Sequence, residues 1–72
     1  MNYKDFPESD PRHHTIQVRQ RFDELVTHLR EDVDKIDDPK AQAMFETAAE
    51  VIGSLSTAFS HFEQQSEKAF KR

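Results

Sequence analysis

A chain of 72 residues has room for one small domain, and 14 acidic against 10 basic side chains give it a net charge of -4 with His neutral. That balance argues against a sequence-independent nucleic-acid binder, whose footprint is basic. The absence of cysteine excludes a disulfide framework, thiolate metal sites and a Cys nucleophile.

Residues 1–9 lack periodicity and contain Pro7, so they form a partly ordered N-terminal tail, with the hairpin of residues 10–72 after it. The first residues carry charges and no apolar core, and so are neither a signal peptide nor a membrane span. The longest uncharged stretch, residues 51–62, is too short to cross a bilayer. A cytoplasmic protein is therefore expected. Tyr3 and Phe6 give the tail an aromatic face with which to cover Phe62, Ala69 and Phe70 beside Ile16.

The first helix is predicted over residues 11–36. Asp10 is a natural N-cap, and Pro11 fits the first turn, where its missing N–H costs nothing. Its apolar residues form a heptad stripe: Phe22, Leu29 and Ile36 at a, Val18 and Leu25 at d, Val26 and Val33 at e. Asp38-Pro39 then repeats the Asp10-Pro11 device and forces a corner. A second helix follows over residues 39–70. Its seam of Ala41, Phe45, Ala48, Ile52, Leu55, Phe59, Phe62, Ser66 and Ala69 alternates steps of four and three.

So short a connection predicts an all-α fold, an antiparallel two-helix hairpin with Phe22, Leu25, Leu29, Ile36, Phe45, Ile52, Leu55 and Phe59 in its core. A further row in helix 2, Met44, Val51 and Ala58, makes the stripe broader than one contact line requires. With Val26 and Val33 it predicts a dimer interface closing two hairpins into a four-helix bundle. A third row, Ala49, Gly53, Ser56 and Ser60, is small throughout; it admits a close neighbour or faces solvent.

Charge predicts an antiparallel dimer. Arg12, Arg19, Arg21, Lys68, Lys71 and Arg72 gather at the open end, and Glu31, Asp32, Asp34, Asp37 and Asp38 at the corner, so each basic end lies beside an acidic one.

Little in the chain points to chemistry. Glu24, His28 and Asp32 share a helical face by their spacing of four, and the hairpin brings His61 near the level of His13 and His14. Both groups are weak metal candidates, since neither helix carries a Glu-x-x-His motif and His61 faces outward. Ser54, Ser56, Ser60 and Ser66 sit on a helix with no Gly-rich elbow, so no enzyme and no cofactor are expected.

The hairpin-dimer arrangement, acidic overall, resembles that of the small plasmid-copy-number RNA-binding proteins. The resemblance implies a regulatory RNA-binding alternative with Arg12, Arg19 and Arg30 on helix 1, interrupted here by Asp23 and Glu31. The expectation that fits most of the chain is a non-enzymatic scaffold module that binds itself and a protein partner; a small metal-binding bundle is a further alternative. The polar faces are acidic and mixed, which does not suit an amphipathic membrane helix.

Overall fold

The structure, a computed structural model, describes the backbone of residues 2–70 and the side chains of residues 2–65. Ser66 and Ala69 of the seam, Phe70, and the cations Lys68, Lys71 and Arg72 lie outside the described side chains. The fold is all-helical: a single 3-10 turn at Tyr3–Asp5, then α1 (Pro11–Val33) and α2 (Pro39–Phe70) packed against each other. At about 1.5 Å per residue the 32 residues of α2 span roughly 48 Å, which accounts for most of the 52 Å long dimension. Among the described residues no helix is long and apolar enough to cross a membrane.

Each helix starts where an aspartate precedes a proline. Asp10 is extended and its Oδ1 accepts from the Arg12 backbone N–H at 2.9 Å; Asp38 Oδ1 accepts from the Lys40 backbone N–H at 2.9 Å. The periodic pattern runs on to Ile36, yet α1 stops at Val33. Asp38 must stand outside the helix to cap α2 ahead of Pro39, and residues 34–37 make the reversal. There the Lys35 and Ile36 N–H groups both donate to the Asp32 carbonyl. Gln42 closes the corner from α2, its side-chain amide donating to the Ile36 carbonyl at 2.7 Å.

Asp10 does more than cap. Arg12 returns to it through Nε at 3.1 Å and Nη2 at 2.6 Å, and lays its guanidinium on the Phe6 ring, 4.1 Å from the centroid. These bonds hold the Asp10 carboxyl below its ordinary pKa, the Arg12 side chain first and its backbone N–H second. A depressed carboxylate binds fewer protons folded than unfolded, so its contribution is complete at neutral pH and lost as pH falls through the lowered value. The stability difference between wild type and Asp10→Asn, followed by helicity in urea, should therefore narrow on acidification below the usual carboxylate range.

Among the described residues the tail packs on α1 rather than over Phe62, while Ala69 and Phe70, which the sequence also placed under it, lie outside the described side chains. The Tyr3 ring stands edge-on to His13 with centroids 5.2 Å apart, and the 3-10 turn packs on α1 alone. His13 Nδ1 and His14 Nε2 each lie 2.8 Å from a tail carbonyl, those of Phe6 and Glu8; a carbonyl only accepts, so both nitrogens carry hydrogen. These bonds tie the tail to the first turn of α1 and leave Phe62 exposed.

Candidate functional site

The α1–α2 contact is a polar seam. As α1 advances, its partner on α2 recedes: Arg19 meets Glu63, Phe22 meets Phe59, Asp23 meets Ser56. The Arg19 guanidinium grips Glu63 bidentately, Nε to Oε2 at 3.1 Å and Nη2 to Oε1 at 3.0 Å, with the Glu63 side chain 4% exposed. The hydrogen bonds to the Glu63 carboxylate in turn raise the Arg19 pKa above its ordinary value. Ser56 Oγ donates to Asp23 Oδ1 at 2.6 Å, and the Phe22 and Phe59 rings sit edge to face, 5.3 Å apart. The residues of α2 turned to α1 include Gln42, Ala49, Ser56 and Glu63, one every seven positions, with Phe59 beside them.

The third row of the sequence divides accordingly. Ala49 and Ser56 are buried, while a Cβ built on Gly53 would meet nothing within 4 Å. Close approach therefore gives no reason for glycine at that position. Gly53→Ala should raise stability by about 1 kcal/mol, since only the backbone-entropy cost of glycine is removed; urea unfolding measures it.

Polar pairs share the seam with the Phe22–Phe59 contact, and part of each apolar stripe is turned outward. Among the described residues the fully buried hydrophobic side chains are Ile16 and Ala49, whereas Val18, Leu25, Met44, Val51, Leu55 and Phe62 are exposed. Of the residues expected in the hairpin core, Phe22, Leu29, Ile36, Phe45, Ile52 and Phe59 are half-buried and Leu25 and Leu55 are exposed. Of those expected in the dimer interface, Met44, Val51 and Ala58 are exposed and Val26 and Val33 half-buried. The row Met44, Ala48, Val51, Leu55, Ala58, Phe62 lies roughly 140° around α2 from the seam, at 3.6 residues per turn. Two open apolar grooves follow this row. The larger, about 600 Å³, runs along Ala43, Met44, Thr47, Ala48, Val51 and Ile52 near the corner. The smaller, about 390 Å³, lies at the open end between Pro11 and Thr15 of α1 and Ala58, Phe59 and Phe62 of α2.

Compared with protein-family models, curated proteins and solved structures, the chain matches none of them.

The polar candidates are dispersed or already engaged. Arg12 is bonded to Asp10 and Arg19 to Glu63, which removes two charges from the expected basic end. Of Glu24, His28 and Asp32, His28 Nε2 and Asp32 Oδ2 approach to 3.0 Å as an exposed surface pair. His13 and His14 have rings 5.1 Å apart but are each turned to a tail carbonyl, and His61 is exposed. Among the described residues no three His, Asp or Glu side chains stand close enough to share a metal ion.

The sequence pointed to the broad stripe, and left the small row of Ala49 and Ser56, which lies against α1, open between a close neighbour and solvent. The available signal was the seven-residue spacing of Gln42, Ala49, Ser56 and Glu63, with Asp23 and Arg19 at matching levels of α1.

Proposed function

We propose that this chain is a non-enzymatic helical interaction module that acts as a homodimer, two hairpins closing their apolar faces into a four-helix bundle whose outer surface engages a protein partner. The observation that carries this reading is how much of the apolar stripe faces out: polar pairs flank the Phe22–Phe59 contact between the helices, while Val18, Leu25, Met44, Val51, Leu55 and Phe62 stand exposed. Area supports it. The chain exposes 5538 Å², against about 4,700 Å² for a folded monomer of 8.5 kDa. The surplus matches the ~800 Å² that each partner contributes to a standard interface. A row of exposed large apolar side chains marks an association surface, and one continuous with the same face of another copy is closed by two-fold symmetry.

Mass action tests the self-association. The melting temperature should rise steadily with protein concentration, as it does when folding and dimerisation are one equilibrium; a concentration-independent transition would contradict the dimer. A tagged chain should also retain one other protein stoichiometrically from its native lysate. Recovery of nothing but further copies of itself would reduce the reading to self-assembly.

A further inference from the structure

The exposed row of α2 changes in size along its length. Its corner half is walled by the small side chains Ala43, Thr47 and Ala48 around the larger groove, with Met44 at its edge. Its open half projects Leu55 and Phe62, both exposed. The row repeats in steps of four, three, four, three, four, so it reads the same in both directions. A helix can therefore meet a reversed copy of itself along this row without losing register.

From these features we infer that the ligand of this face is a second copy of the chain, with the two α2 helices antiparallel about a two-fold axis between Val51 and Leu55, and the bulky open half of each lying in the small-walled groove of the other. The inference rests on the dimer proposed above and adds its orientation. A parallel arrangement would set Phe62 beside the partner's Phe62 and groove against groove, with no bulky side chain to fill either groove. Charge acts in the same direction. Residues 30–40 carry five carboxylates against three basic groups, and antiparallel packing moves the two acidic corners to opposite ends of the bundle. The polar seam to α1 is undisturbed, because it occupies a different side of α2.

Lys40 and Gln65 are exposed and lie just beyond the two ends of the apolar row, past Met44 and Phe62, and the chain has no cysteine of its own. Lys40→Cys and Gln65→Cys can therefore carry single spin labels at the rim of the contact, with every side chain of the row kept. For an axis level with residue 53 and a rise of about 1.5 Å per residue, antiparallel packing places the two Lys40→Cys labels about 39 Å apart and the two Gln65→Cys labels about 36 Å apart. A mixture of the two labelled chains should add a short distance, below about 20 Å, between unlike sites. Short distances between like sites in a confirmed dimer would overturn the orientation while leaving the dimer standing. The absence of any intermolecular distance, with a monomeric mass, would overturn both.

Discussion

Val51→Asp is expected to leave the chain largely unfolded at micromolar concentrations at which the wild type is folded. Val51 is 55% exposed on the isolated hairpin, where a carboxylate would stay hydrated and change stability by no more than about 0.5 kcal/mol. In the proposed dimer the same side chain lies near the two-fold axis, so each substitution introduces a pair of carboxylates into an apolar contact. The cost is at least ~4 kcal/mol per dimer, roughly a thousandfold in the association constant. Because the hairpin buries so little by itself, dissociation and unfolding should coincide. Met44→Asp, at the 62% exposed Met44, should act alike through the other end of the row. Circular dichroism over a concentration series measures both; a well-folded variant of wild-type stability would show that the stripe is a solvent face.

Arg19→Ala should cost about 3 kcal/mol by a different route, through the hairpin itself. The substitution strips both hydrogen bonds from Glu63, whose side chain is 4% exposed, and leaves a carboxylate with neither water nor a cation. Glu63→Gln should be milder at neutral pH, because a buried amide leaves no charge without a cation. Replacing both partners by apolar residues, as in Arg19→Met with Glu63→Leu, should recover most of the loss, because the pair's desolvation cost disappears with it. Urea unfolding of the four proteins separates these effects. An Arg19→Ala variant as stable as the wild type would show that the bidentate contact contributes nothing in solution.

The parts of this fold that sequence reveals are those set by local chemistry. Asp10-Pro11 and Asp38-Pro39 are complete start signals within two residues each, and they place both helices and the corner between them. Which side of α2 faces α1 is decided instead by side chains 33 and 44 positions apart, Ser56 with Asp23 and Glu63 with Arg19. Periodicity favours the most apolar stripe for the nearest neighbour, which is sound for a hairpin that is stable by itself. Here that stripe is turned outward, and the nearest neighbour is held by polar groups that can satisfy one another within a single chain. The candidate interaction face was legible as the surplus row of Met44, Val51 and Ala58, but its full width, with Leu25 and Leu55 added to it, required the packing. The sequence points the aromatic tail to the end of α2, yet its nearest described partners are local: Tyr3 stands against His13 and Phe6 against Arg12, a few residues along the same stretch of chain.

The most direct test is the mass of the particle. Sedimentation equilibrium of the wild-type chain at tens of micromolar should give twice 8.5 kDa, with dissociation growing as salt is raised if the antiparallel charge arrangement contributes. A folded species of 8.5 kDa at that concentration would contradict the account, because the outward apolar face would then be stable in water with nothing to cover it.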